Sequence, residues 1–293
     1  MSNTPPDPDA SDSREDGAPT KEACAKLYQE VVSELAYVQT IADQPGSLLS
    51  ADNAFVSQFH TTMHELAVIR LFSSLDHLQL TAVSLGTGSD LVIFSQFSLV
   101  RSALAGASTA YWLLSGETSQ RRMRALRLAY YDLEHESIFA RSMAKESFED
   151  IDPPNMKAFQ NSQNVLDSTP ARLDAIYAEY CSLAKAAGEN IPKRRGFGFQ
   201  EVPVIEEISE MMRNTGRIKK EAEISLQYRI MSGFVHNCSW AIRSGAGMKL
   251  IETDDGQRMQ ITGNPGNIYR GARTAFIVTL LAKARLSELA AKT

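Results

Sequence analysis

The chain has 293 residues, of which 43% are hydrophobic, so it is long enough to bury a sizeable core. Its net charge is -5, but residues 1–20 hold five acids and one base, so the remainder is nearly neutral and any contact with nucleic acid must rest on a local patch. Three widely spaced cysteines exclude a disulfide framework, and the absence of an apolar h-region at the N-terminus leads us to expect a soluble, cytoplasmic protein.

Helical periodicity dominates the chain after a polar, Pro-rich start. Residues 1–20 bury too little apolar surface to offset ordering entropy, so we expect a disordered acidic tail. We predict helices over 21–43, 51–85, 90–114, 118–146, 156–166, 171–187, 204–213, 218–243 and 268–291. Two alternating runs around Asp254-Asp255-Gly256 predict a hairpin over 248–262. The fold class is therefore all-α: residues 21–293 form one helical domain, a bundle of eight or nine helices with one small β-hairpin.

The most apolar stretch, residues 91–116, contains a single charged side chain, Arg101. Its length would suit a membrane span, but serine, threonine and glutamine side chains dilute its hydrophobicity and an arginine in mid-span is costly in lipid. Small residues such as Gly106 suit close packing on other helices. We predict a buried core helix and no membrane partner.

The segment 223–245 is the most informative one for function. Apart from its ends, it has one charged side chain, Arg229, and one that can become charged, His236. A helix that is apolar nearly all round lies in a core, so we expect both side chains in a dry setting. Seven positions separate them, which places them on one face, with the small Ser232 and Gly233 between.

Two interpretations of Arg229 and His236 follow from chemistry alone. In the catalytic one, the histidine moves protons and the arginine stabilises charge that develops on a phosphodiester. In the structural one, the arginine pairs with a carboxylate on a neighbouring helix and the histidine bonds a carbonyl or hydroxyl, as buried polar groups usually do.

Arg229, six intervening residues and His236 resemble the R-x(4–6)-H motif of the HEPN superfamily. The resemblance implies an all-α homodimer that cleaves RNA without metal or other cofactor, in a toxin–antitoxin or phage-defence setting with an antitoxin protein as partner. It implies Arg229 as phosphate stabiliser and His236 as acid/base group for attack by an RNA 2′-hydroxyl, both meeting their copies across the dimer interface. Residues 101–114 and 228–237 are also similar to bacterial proteins of unknown function with this helical plan.

The residue after the motif arginine is often polar in active HEPN enzymes, and here it is Ile230. A non-catalytic helical interaction or ligand-sensing module is therefore the alternative to a nuclease. In that alternative, Arg229 and His236 brace the core and the surface binds a protein or a small ligand.

A basic cluster lies between two predicted helices. Lys193, Arg194 and Arg195 stand beside Phe197 and Phe199. These side chains suit a nucleic-acid contact, with the cations on RNA phosphates and a ring stacked on a base. The alternative is a solvated basic loop whose phenylalanines fix it to the bundle.

His60 and His64 are four positions apart within a predicted helix, a spacing that lets two imidazoles hold one metal ion. The glutamate of an HExxH motif is replaced by Thr61, so the zinc-protease base is missing. We predict no metal site.

Four arginines stand near the start of the helix predicted over 118–146, where positive charge opposes the helix dipole. We expect them to contact carboxylates or an anion. They are Arg121, Arg122, Arg124 and Arg127.

Overall fold

The computed structural model describes residues 18–87, 93–145, 153–216, 224–236, 238–253 and 256–292. The helices are α1 (Lys21–Val38), α2 (Leu48–Ser57), α3 (Met63–Gly86), α4 (Ile93–Leu114), α5 (Thr118–Lys145), α6 (Pro153–Ala187), α7 (Glu201–Asn214), α8 (Ile224–Val235), α9 (Ser239–Gly245) and α10 (Pro265–Ala290). The strands are β1 (Ala246–Thr253) and β2 (Gly256–Gly263). The all-α fold class with one small hairpin is confirmed. Most of the predicted acidic tail, residues 1–17, lies outside the described ranges.

Helix α4 lies at the centre of the bundle. It packs against α3, α10, α7 and α8, while α1 packs against α3. Val100, Leu104 and Leu113 on α4 are fully buried, which confirms the predicted core helix. None of the described helices has the length and apolarity that a bilayer span requires.

The predicted helix over 51–85 is two helices, α2 and α3. His60 lies between them in the left-handed region, at φ 63°, which an α-helix cannot contain. Thr62 then starts α3, because its hydroxyl accepts a hydrogen bond from the Glu65 N–H at 3.0 Å. The single-helix prediction is wrong because the 3.6-residue apolar periodicity continues across the break.

The predicted helices over 156–166 and 171–187 form one helix, α6, which continues through Pro170. A proline lacks the N–H that an interior helical position donates. Just before it, the hydroxyls of Thr169 and Ser168 donate to the carbonyls of Val165 and Asn164 at 2.6 and 2.9 Å. Packing of α6 along α5 supports the helix across this point, so the predicted break is wrong.

The predicted helix over 218–243 is also interrupted. The N–H of Cys238 donates to the Gly233 carbonyl at 2.7 Å, and α9 begins at Ser239. The Gly233 backbone packs against Trp240 and Ala241 of α9. The small residue at position 233 therefore allows a close contact, and its partner is the adjacent helix α9.

The carbonyls at the C-terminal end of α4 are hydrogen-bonded by arginines from two other helices. Arg124 of α5 donates to Trp112 at 2.7 Å and to Ser115 at 2.8 Å. Arg285 of α10 donates to Leu114 at 3.2 Å. The last carbonyls of a helix have no partner within it and carry negative partial charge, so these cations satisfy and stabilise the helix end.

A fully buried carboxylate holds the start of α5. Asp52 of α2 accepts from Arg121 at 2.8 Å and from Arg122 at 2.9 Å. Arg124 pairs with Glu207 at 2.7 Å. The prediction that the four arginines contact carboxylates or an anion is confirmed for these three, whereas Arg127 donates to the backbone carbonyls of Phe197 and Gly198.

Candidate functional site

Arg229 and His236 are both exposed to solvent on α8 and at its end. The Arg229 side chain is 60% exposed and forms an ion pair with Glu206 of α7, which is 49% exposed. The backbone N–H of His236 still donates to the Ser232 carbonyl at 3.0 Å, so His236 continues the helical pattern and stays on the Arg229 face. The expected dry setting is wrong, whereas the expected carboxylate partner for the arginine is present.

The opposite face of α8 explains its position. Phe234 is fully buried and stacks on Phe97 of α4, with ring centroids 3.9 Å apart. Leu226 and Val235 of α8, together with Trp240 of α9, are instead exposed. The apolar composition of this segment therefore produces one buried face and an apolar surface around the exposed Arg229 and His236.

Arg229 and His236 do not meet within the chain. Seven residues of helix advance the backbone by about 10 Å. Across the residues that the structure describes, no hydrogen bond or ion pair joins the two side chains.

A hydrogen-bond network lies beside Arg229, on the buried side of α8. Tyr228 donates to Glu201 at 2.5 Å and accepts from Arg101 at 2.6 Å. Arg101 also donates to Glu201 at 3.1 Å. Burial, the hydrogen bond to Glu201 and the charge of that carboxylate raise the pKa of Tyr228 to about 12. This network ties α8 to α4 and to the start of α7.

The basic loop, residues 188–200 between α6 and α7, is fixed to the bundle by Phe197. This ring is fully buried and meets three tyrosine rings of α5 and α6 edge-on, at centroid distances between 4.7 and 5.1 Å. Arg127 donates to the carbonyls of Phe197 and Gly198 at 3.2 and 3.3 Å. Of the two interpretations of the phenylalanines, the structural one holds for Phe197, which cannot stack on a ligand.

The cations of the basic loop remain at the surface. Lys193, Arg194 and Arg195 are all exposed. Arg194 pairs with Asp174 of α6. Within the described ranges, Lys193 and Arg195 have no hydrogen-bond or ion-pair partner.

A cavity of about 480 Å³, here called the loop cavity, opens between the basic loop and α5. The residues that give it chemical character are Tyr131, Glu134, His135, Arg194, Arg195 and Phe199. The His135 ring lies 4.0 Å from the Tyr131 ring, and its Nδ1 donates to the Tyr131 carbonyl at 2.9 Å, which leaves Nε2 free. Phe199 meets the Tyr131 ring edge-on at 5.6 Å. The cavity thus combines aromatic rings with cations.

A second cavity, of about 530 Å³, lies between α3, α4 and Phe199. Its lining includes Arg101 and three residues that carry hydroxyls, Ser73, Ser102 and Thr109. These three hydroxyls have no hydrogen-bond partner in the part of the chain that the structure describes. The cavity is therefore suited to a polar ligand.

His60 and His64 are not presented on one helical face, because α2 ends before His60 and α3 begins after it. His64 Nε2 bonds the Ile41 carbonyl at 2.9 Å. Among the described residues, no three histidine, cysteine or acidic side chains are grouped so that they could hold a metal ion.

Sequence patterns identified the cations of the loop cavity and Phe199, but not the rings of Tyr131 and His135. Tyr131 and His135 stand on the polar side of α5, where helical periodicity gives no functional signal, and only the fold brings them to the basic loop. No protein-family model, curated protein or solved structure matches this chain. A function for it therefore rests on its own residues and their geometry.

Proposed function

We propose that this chain is a metal-independent endoribonuclease in which Arg229 and His236 act on the RNA backbone. The observation that supports it is the solvent exposure of both side chains on one face of α8. A histidine there can take the proton of a 2′-hydroxyl, whose oxygen bonds the adjacent phosphorus while the 5′-oxygen leaves and takes a proton from water. The imidazolium then returns its proton to the solvent. The guanidinium stabilises the charge on the non-bridging oxygens. The products are a 2′,3′-cyclic phosphate and a 5′-hydroxyl.

The ion pair between Arg229 and Glu206 is compatible with this role. Both partners are about half exposed, and a pair of this kind contributes only about 0–1 kcal/mol because water and salt screen it. An RNA phosphate can therefore replace Glu206 at small cost. Before substrate binds, the carboxylate keeps the guanidinium on the exposed face.

The active unit in this proposal is a homodimer. The backbone positions of Arg229 and His236 are about 10 Å apart along the helix, and within one chain the Arg229 guanidinium pairs with Glu206 instead of lying at His236. A two-fold arrangement that brings two copies of α8 together would set Arg229 of one copy beside His236 of the other. The exposed Leu226, Val235 and Trp240 supply apolar contact area for that interface.

RNA is the proposed substrate, and the cations Lys193, Arg194 and Arg195 are its proposed contacts outside the catalytic pair. Lys193 and Arg195 are exposed without partners in the described ranges, so both are available to phosphates. A toxin–antitoxin or phage-defence setting, with an antitoxin protein as partner, belongs to the same proposal.

Single-stranded RNA incubated with the purified full chain in EDTA tests the proposal. We expect cleavage with cyclic-phosphate ends and a dimer in solution. His236→Ala should lower the rate by about 10²–10⁴-fold with an unchanged melting temperature. Glu206→Gln is the matched control for Arg229→Ala: it breaks the same ion pair but keeps the guanidinium, so it should retain cleavage where Arg229→Ala loses it. Undiminished cleavage by purified His236→Ala protein, or none by the wild type on any RNA, contradicts the assignment.

The cavity between α3 and α4 favours a second candidate, a non-catalytic ligand-sensing module. Arg101 lines this cavity and also donates hydrogen bonds to Glu201 and Tyr228. A ligand that accepted a hydrogen bond from the Arg101 guanidinium would therefore disturb the bond that ties Tyr228 of α8 to α4. A wild-type chain that cleaves no RNA but whose melting temperature rises with a small polar ligand, and not in an Arg101→Met variant, would support this function.

A further inference from the structure

We propose that the loop cavity binds one unpaired nucleotide of a single-stranded RNA, with its base against the His135 ring and its phosphate at Arg195. The inference rests on the proposed function, for which it names a substrate subsite. It assigns His135 of α5, which lies against Tyr131, and not Phe197, as the aromatic side chain that receives a base.

The aromatic part of the subsite is built on a rigid helix. His135 is exposed and lies against Tyr131, which fixes the imidazole plane through the Nδ1 hydrogen bond to the Tyr131 carbonyl. Phe199 closes the cavity beside Tyr131. A base that enters meets a held ring, and stacking of this kind tolerates any base because every base has a π-face.

The cationic part of the subsite is held by the buried Phe197. The ring and the two hydrogen bonds from Arg127 fix the backbone next to Arg195. Arg194 is partly neutralised by Asp174, and Glu134 adds one negative charge to the lining, so Arg195 is the cation left to bind a phosphate. Preorganised groups lose little entropy on binding.

The position of the subsite connects it to the proposed catalytic surface. Phe199 lines the loop cavity, and two residues later Glu201 begins α7 and accepts the hydrogen bond of Tyr228, the neighbour of Arg229. An RNA strand with one nucleotide in the loop cavity can follow α7 toward Glu206 and Arg229. A base must be unstacked to enter the loop cavity. We therefore expect the subsite to favour single strands over duplexes, in which every base is already stacked between its neighbours.

Binding is tested with the full chain carrying His236→Ala, in EDTA, so that RNA stays intact. A fluorescent 12-nucleotide oligouridylate and an RNA duplex of the same length are titrated by anisotropy. His135→Ala should weaken binding of the single strand by about 5- to 150-fold, the fold-change of one lost base–aromatic stack, and leave duplex binding unchanged. His135→Phe keeps a ring without a titratable nitrogen and should keep the affinity.

Arg195→Ala should weaken both RNAs and lower the salt dependence of binding by roughly one phosphate contact. Lys26→Ala, which removes an exposed cation on α1, is its control and should change the binding of neither RNA.

Uridine monophosphate should compete only at far higher concentration than the strand; equal affinity would identify a free nucleotide as the ligand and overturn the strand subsite. Equal losses for both RNAs in His135→Ala, or no loss, would overturn the stacking assignment. Because cleavage plays no part in these measurements, an inactive wild type with the expected binding refutes the nuclease and retains the subsite.

Discussion

Gly233 of α8 lies so close to Ala241 of α9 that a Cβ atom on the glycine would fall 2.5 Å from the alanine Cβ. The Trp240 ring lies over the same spot, at 2.9 Å from that position. The missing side chain therefore lets α9 fold back onto α8 directly after His236. This glycine therefore determines how closely α9 packs against the C-terminal end of α8, next to His236.

A large side chain at Gly233 should force α8 and α9 apart. We expect Gly233→Leu to lower the free energy of unfolding by about 1–3 kcal/mol through overpacking, measured by urea denaturation. Gly86→Ala is the control, because its new Cβ would sit at an ordinary 3.4 Å from the Cys24 Cβ. An unchanged stability for Gly233→Leu would show that α9 moves away freely.

Removal of the Asp52 carboxylate should leave the buried Arg121 without its partner. We expect Asp52→Ala to lower the free energy of unfolding by about 3–5 kcal/mol, because an uncompensated buried charge is costly. Asp132→Ala removes the 47% exposed partner of Arg70 and should cost about 0–1 kcal/mol. Both losses are measured by urea denaturation, because an ionic denaturant would screen the ion pairs. Similar losses for the two variants would contradict the claim that breaking a buried ion pair costs more stability than breaking an exposed one.

The raised pKa of Tyr228 predicts a loss of stability at high pH. The folded chain keeps this proton up to about pH 12, whereas an unfolded tyrosine releases it near pH 10. Between these values the unfolded state binds fewer protons, so the stabilisation that Tyr228 provides is full below pH 10 and declines as pH rises. The stability difference between wild type and Tyr228→Phe should be smaller at pH 11 than at pH 9. A constant difference would show that the hydroxyl titrates alike in both states.

Truncation of Phe197 should release the basic loop. Phe197→Ala removes a fully buried ring, and we expect a loss of about 3–5 kcal/mol in the free energy of unfolding. Faster amide hydrogen exchange across residues 194–198 should accompany it. Phe139→Ala, at a ring that is 64% exposed, should change neither quantity appreciably. Unchanged exchange in the loop would mean that Arg127 alone holds it.

The helical class of the fold followed from apolar spacing, but three helix boundaries did not. Periodicity is local, whereas the ends of α2 and α8 depend on a left-handed His60 and on the contact of Gly233 with α9. The continuity of α6 through Pro170 depends on packing along α5. A sequence pattern records which residues are apolar and not which neighbours they find.

The surroundings of Arg229 and His236 show the same limit. An apolar composition all round α8 predicted burial, yet Leu226 and Val235 face solvent because α8 packs on α4 by one face only. A carboxylate partner for Arg229 was expected, but its position in the sequence could not identify Glu206 as that partner. Which helix lies beside α8 is decided by tertiary packing.

The arginines that bond the C-terminal carbonyls of α4 also have a consequence for the order in which the chain folds. The hydrogen bond from Arg285 to Leu114 joins residues 171 positions apart. Contacts of such long range form slowly, since the intervening chain must give up its freedom before the contact forms. We therefore expect the central helix to acquire a complete C-terminal end late in folding, when α10 docks. Until then, the Leu114 carbonyl must accept its hydrogen bond from water instead of from Arg285.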